Sequence, residues 1–108
     1  MTYKAKKVVI ITEKIILDGV VKLIEKAGAV GYTVTPCGGK GSRNVRSLDR
    51  APVIAEFANV KIEIIVADDE LASKITEQVV ETYFKNYSGI TYLQEAEILR
   101  PQKFAQKP

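Results

Sequence analysis

The run Gly38-Gly39-Lys40-Gly41-Ser42-Arg43-Asn44-Val45-Arg46 is the part of this 108-residue chain whose residue types and spacing could do chemistry. Three glycines within four positions let the backbone turn sharply and come close to a ligand, presenting successive N–H donors. Ser42 adds a hydroxyl, and Lys40, Arg43 and Arg46 add positive charge. Those are the requirements for holding a phosphate group. Between Gly38 and Arg50, the cations Lys40, Arg43, Arg46 and Arg50 stand against Asp49 alone, an excess equal to the +3 of the whole chain. The remainder is balanced, which points to a localised anionic partner rather than to nucleic acid spread over a basic face. The run is not a P-loop: the spacing glycine, four residues, glycine-lysine-serine is not met, and a long loop and then a strand follow instead of a helix. On composition alone, a solvated loop with glycine for turns and arginine for solubility accounts for the same residues.

Other chemistries are closed by what the chain lacks. It has no histidine, hence no serine–histidine or cysteine–histidine pair, no histidine metal ligand and no histidine pH switch. The single cysteine, Cys37, excludes an internal disulfide and a thiolate zinc site; without a resolving partner it reads as a small buried hydrophobe. Asp68 and Asp69 precede a helical stripe and are better explained as caps than as metal ligands. Ser88-Gly89-Ile90 is, in isolation, a turn.

The elements that must position the glycine-arginine run follow from periodicity. Lys7–Thr12 is β-branched and apolar on both faces, as in a central strand. From Glu13 to Ala27 the residues Ile16, Val20, Leu23, Ile24 and Ala27 recur at helical spacing, with Gly28 as a stop. Tyr32–Cys37 is again strand-like, and the residues from Cys37 to Pro52 read as a long loop. Ala58–Val66 alternates cleanly. A second helix carries Leu71, Ala72, Ile75, Val79 and Tyr83 and closes at Asn86 with Gly89, before a last strand over Ile90–Leu99 and a loose polar tail from Pro101 to Pro108.

The order β-α-β-β-α-β gives an α+β, ferredoxin-like sandwich, one domain over residues 1–100 with a tail at 101–108. Two helices cover one sheet face. The other keeps at least one apolar residue from each of Val8/Val9, Ile10/Ile11 and Ile64/Ile65, a patch that calls for a homo-oligomer. No apolar run approaches the roughly 20 residues needed to cross a bilayer, so an intracellular, cytoplasmic protein is expected.

At these residues the chain resembles the PII-like signalling proteins of the SbtB type. The resemblance is carried by Thr12-Glu13-Lys14-Ile15, Gly31-Tyr32-Thr33-Val34, the run Gly38–Arg46, and Tyr83-Phe84-Lys85-Asn86-Tyr87-Ser88-Gly89-Ile90, and it spans Lys7 to about Ile98. It implies a homotrimer with nucleotide sites in the clefts between subunits, taking cyclic AMP, AMP, ADP or ATP. It also implies a mobile T-loop (residues 38–55) that touches a sodium-dependent bicarbonate transporter, SbtA, at the membrane. Carried onto this chain, the resemblance gives a phosphate site of Lys40, Gly41, Ser42, Arg43 and Arg46. The base and ribose are then contacted by Thr33, Val34, Gly89 and Ile90, with glycine needed at 89 because a side chain would crowd the ligand. Ser47 and Arg50 are expected to contact the partner.

Departures from the relatives sharpen these expectations. Many end in a cysteine-glycine-proline segment closed by a second cysteine and linked to redox-controlled nucleotide hydrolysis, whereas Arg100–Pro108 contains no cysteine. With no histidine and no paired motif carboxylates either, a nucleotide sensor is expected rather than the alternative, an enzyme hydrolysing ATP or ADP in the same cleft. The loop has neither the modifiable tyrosine nor the glutamine of the nitrogen-control PII proteins, and the turn at Gly89 lacks their phosphate-binding lysines, which favours a monophosphate over a triphosphate. An RNA-binding module shares the topology but needs aromatics on its central strands, and Lys7–Thr12 and Ala58–Val66 have none; no nucleic-acid partner is expected.

Overall fold

A computed structural model of the chain describes residues 1–38 and 58–104. It contains four strands, β1 (Tyr3–Glu13), β2 (Thr33–Cys37), β3 (Asn59–Val66) and β4 (Gly89–Ile98), and two helices, α1 (Leu17–Ala27) and α2 (Asp69–Tyr83). The strands form one antiparallel sheet in the order β2-β3-β1-β4, the ferredoxin-like arrangement.

β1 begins four residues before the apolar run that signals it. Its first residues pair with β4 from Tyr3 opposite Ile98 onward, and the lysines that mask the strand have work there. Lys6 forms a salt bridge with Glu95, its register partner, and Thr2 donates to Glu97 at 2.8 Å. The hydrogen bond with Glu95 raises the Lys6 ammonium above its ordinary value and lowers the Glu95 carboxyl.

The helix expected from Glu13 starts late. Lys14–Ile16 is a 3₁₀ turn, and neither Glu13 nor Ile16 offers a side-chain cap, so regular α-helix begins only at Leu17. It ends at Gly28, whose φ of 112° suits a residue without Cβ. In α2, Asp68 is the cap: its carboxylate accepts from the Glu70 N–H at 2.8 Å, and Asp69 and Glu70 place negative charge in the first turn. α2 stops at Tyr83 rather than at Asn86. Phe84 leaves helical geometry, and Tyr83, Phe84 and Tyr87 lay their rings on the core, the two tyrosines edge to face at 6.5 Å. The start of the tail is also ordered, with Pro101–Phe104 as a 3₁₀ turn closed by Lys103 N–H to Arg100 O at 3.0 Å; residues 105–108 lie outside the described residues.

The core lies between the helices and one sheet face. Val8 and Ile10 of β1 and Val60, Ile62, Ile64 and Val66 of β3 meet Val20, Ile24 and Ala27 of α1 and Leu71, Ala72, Ile75 and Val79 of α2. Each large aliphatic buried there contributes about 1.5–3 kcal/mol. The opposite face carries Val9, Ile11, Ile65, Ile90 and Tyr92, crossed by a polar band in which Lys7 meets Glu63 at 2.7 Å and Lys61 meets it at 3.7 Å. The Lys7 hydrogen bond holds the Glu63 carboxyl below its ordinary value. Ile90 is 58% exposed and Tyr92 39%, so apolar surface on this face remains open in the single chain.

Replacing Asp68 by alanine should lower stability by about 1 kcal/mol, the usual cost of a lost N-cap, while asparagine should retain most of it. Denaturant midpoints of the two variants check this, and an unchanged midpoint for Asp68→Ala would show the cap to be idle.

Candidate functional site

The glycine-arginine run follows β2 in sequence, which ends at Cys37, and precedes β3, which starts at Asn59. Cys37 pairs with Asn59, and Asn59 pairs in turn with Glu13 at the end of β1. The next residue, Lys14, donates its N–H to the Ala58 carbonyl at 2.7 Å, extending the β1–β3 contact one step past the strands. Three strand ends thus meet at the root of the run. Lys40, Gly41, Ser42, Arg43, Arg46, Ser47 and Arg50 themselves lie outside the described residues.

Cys37, expected as a buried hydrophobe, is half-buried. Burial pushes its thiol above the ordinary value against the opposing pull of the Lys61 charge.

On the β4 side of the sheet, the turn between α2 and β4 is tied to the end of β1 through the backbone of a single residue, Ser88. Thr12 donates its hydroxyl to the Ser88 carbonyl at 2.7 Å, and the Ser88 N–H donates to the Glu13 carboxylate at 2.6 Å. Thr12 is 1% exposed, so its hydroxyl would otherwise stand unpaired in the core. Gly89 follows directly. A Cβ at 89 would run into the Phe84 ring and lie 2.9 Å from the Thr12 hydroxyl oxygen. The chain's own packing thus already requires glycine at this position. Sequence reasoning placed Thr12 and Glu13 in a matching segment without a role; their signal was two polar residues ending an otherwise apolar strand.

The four residues expected at the base and ribose are not brought together within one chain. Thr33 and Val34 lie on β2 and Gly89 and Ile90 on β4, which are opposite edges of the sheet. With β3 and β1 between them, the edges stand roughly 14 Å apart at the usual strand spacing. Val34, moreover, packs its side chain on the core, leaving its backbone on the edge, whereas Thr33 and Ile90 are exposed. Within one chain, therefore, the two pairs do not share a cleft.

A family model of the nitrogen regulatory protein P-II matches residues 5–103. The chain belongs to the P-II family. It is a PII-like regulatory protein, and proteins of this family are typically trimers that bind adenine nucleotides. Among solved structures it is similar to a Thermus thermophilus protein taken to be PII-like and signalling, at 29% identity over 95% of this chain and 97% of that one, with a TM-score of 0.76. It is also similar to CPII of Thiomonas intermedia bound to ADP, AMP and acetate, at 26% identity over 98% and 99% of the two chains and a TM-score of 0.79. A further CPII structure, bound to ADP and bicarbonate, matches at 27% identity over 96% and 97%, with a TM-score of 0.78. No described helix of the P-II chain is long and apolar enough to cross a membrane.

Gly89→Ala should cost about 1–3 kcal/mol of stability, as overpacking does, because the Phe84 ring must move. Adding Phe84→Leu should recover part of that loss in thermal melts. A Gly89→Ala protein as stable as the wild type would mean that the ring yields freely.

Proposed function

We propose that this P-II family protein is a carbon-sensing regulator of the SbtB type. It binds adenine nucleotides (cyclic AMP, AMP, ADP or ATP) in clefts between the subunits of a homotrimer and acts through its T-loop on a sodium-dependent bicarbonate transporter. The observation that carries the reading is the strand order, because Thr33 and Val34 occupy one sheet edge and Gly89 and Ile90 the other. Only an assembly that sets unlike edges side by side makes one site of them. The open apolar face with Ile11, Ile65, Ile90 and Tyr92 supplies surface for that assembly. CPII, bound to ADP with AMP or with bicarbonate, supports both the ligand class and the link to inorganic carbon.

In this reading the phosphate is held by charge-assisted bonds from Arg43 and Arg46, with Lys40 adding charge and Gly41 and Ser42 donating hydrogen bonds. Backbone of Val34 and Gly89 and the side chains of Thr33 and Ile90 frame the base and ribose. Ser47 and Arg50, further along the same loop, meet the transporter, so that a bound anion fixes the stem of the segment the partner reads. The protein works in the cytoplasm and is recruited to the inner membrane through the transporter. It acts as a sensor rather than a hydrolase: the chain has no histidine to activate water and no cysteine in Arg100–Pro108.

Calorimetry with cyclic AMP, AMP, ADP and ATP should give binding to a species of trimeric mass by light scattering. At about 1.5–3 kcal/mol per charge-assisted bond, Arg46→Ala should weaken binding tenfold or more. Unchanged affinity would remove Arg46 from the site, and absence of binding by the wild type would end the nucleotide reading.

Capture of an SbtA-type transporter from membranes should respond to nucleotide and be lost when residues 47–52 are deleted. Equal capture by the deletion variant, or capture indifferent to every nucleotide, would exclude this loop as the output.

A further inference from the structure

One hydrogen bond and one proline fix which backbone groups the sheet turns outward. In an antiparallel ladder, opposed residues alternate between exchanging two hydrogen bonds and exchanging none. The Lys14 N–H reaches the Ala58 carbonyl at 2.7 Å, so on β3 Val60, Ile62, Ile64 and Val66 face β1, and Asn59, Lys61 and Glu63 face β2. Thr33, Thr35 and Cys37 therefore bond to β3, while Val34 and Pro36 turn their backbone to the outer edge. Pro36, which has no N–H to give the ladder, stands where the ladder asks for none. On the far side of β1 the Val9 carbonyl faces β4, where it also takes the Thr91 hydroxyl at 2.9 Å. Ile90, Tyr92 and Gln94 thus bond to β1, and Thr91, Leu93, Glu95 and Glu97 face out.

The two edges are unequal. β4 runs for ten residues without a proline, and each of its outward residues offers both an N–H and a carbonyl. β2 has five residues and offers one such couple, at Val34, followed at Pro36 by a carbonyl without a donor. Among the described residues neither outer edge has a backbone partner. A bare edge is a template for another strand, and a proline on an edge strand is a common way of refusing it.

We propose that Pro36 keeps the β2 edge from being taken by the β4 edge of a second copy, so that the Val34 N–H and carbonyl stay free for a ligand. The inference rests on the reading of a site between unlike edges and deepens it. Copies that meet head to tail, β2 against β4, would otherwise continue one sheet into the next. With Pro36 in place, an incoming strand bonds at Val34 and then meets a ring where the next donor should be. One couple of bonds does not repay the ordering of two strands against each other, and the seam stays open.

The test reads amide exchange residue by residue in the ligand-free protein, with Pro36→Thr and Pro36→Ala each restoring the donor. In wild type, exchange should be slow at Thr33 and Thr35 and fast at Val34, and AMP should slow it at Val34. In both variants it should be slow at Val34 and at position 36 without ligand, and subunits should exchange more slowly between labelled and unlabelled assemblies. AMP affinity by calorimetry should fall about tenfold, the order expected of two ordinary hydrogen bonds now made between copies. Threonine, the better strand former, should act more strongly than alanine. A Val34 amide already protected in ligand-free wild type overturns the proposal, whether or not the variants fold, because the edge is then covered despite the proline. Fast exchange at Val34 in both folded variants, or unchanged AMP affinity, overturns it as well. Wild type that binds no nucleotide ends the nucleotide reading, and the exchange rates at Val34 still decide whether Pro36 guards the edge.

Discussion

The constraint on which the rest of the structure depends is the position of β1. It is hydrogen-bonded along nearly its whole length to β3 on one side and β4 on the other. Strands central in this way must satisfy both faces as well as both edges. Val8 and Ile10 do so toward the helices, and Val9 and Ile11 toward the open side. With β1 and β3 in the middle, β2 and β4 are left as edges, so Thr33 and Val34 are separated from Gly89 and Ile90 by the width of the sheet.

The same position explains why chemistry gathers at one end of the sheet. β1 ends in Thr12 and Glu13, and there the root of the glycine-arginine run, the start of β3 and the α2–β4 turn converge. The turn is bonded to β1 through the Ser88 N–H and carbonyl, and β1 is joined to Ala58 through the Lys14 amide. Phe84, just past the end of α2, adds its ring against Gly89.

Much of the fold was legible in the sequence where periodicity and burial agree. Val60, Ile62, Ile64 and Val66 alternate because one face of β3 is core, and the stripe from Leu71 to Val79 is the buried face of α2. Reading failed where a local signal was overridden by a distant partner. Lys4 and Lys6 conceal the start of β1 because they stand opposite Glu97 and Glu95, far along the chain. Glu13 looked like the first residue of a helix, yet its carboxylate is engaged by Ser88 and the helix waits for Leu17. Gly89 reads from the sequence as a turn, and its packing against Phe84 is hidden because spacing alone does not reveal the ring. The order of elements led to the ferredoxin-like arrangement, whose strand order puts Thr33 and Val34 on one edge and Gly89 and Ile90 on the other, whereas the contacts of Thr12 and Glu13 with Ser88 join residues too far apart in sequence to be read from it.

The pairing of Tyr3 with Ile98 has a consequence for biosynthesis. During translation β1 is made before β4 and stands with one of its edges unpaired until β4 follows. Its aliphatic run can find β3 early, but the β4 edge stays vacant until the last strand is made, and such edges are templates for wrong pairing. The lysines at positions 4, 6 and 7 then serve the nascent chain as much as the finished one. They keep the waiting strand charged at its outer end, so that the acidic Glu95 and Glu97 of its proper partner are favoured over an aliphatic stranger.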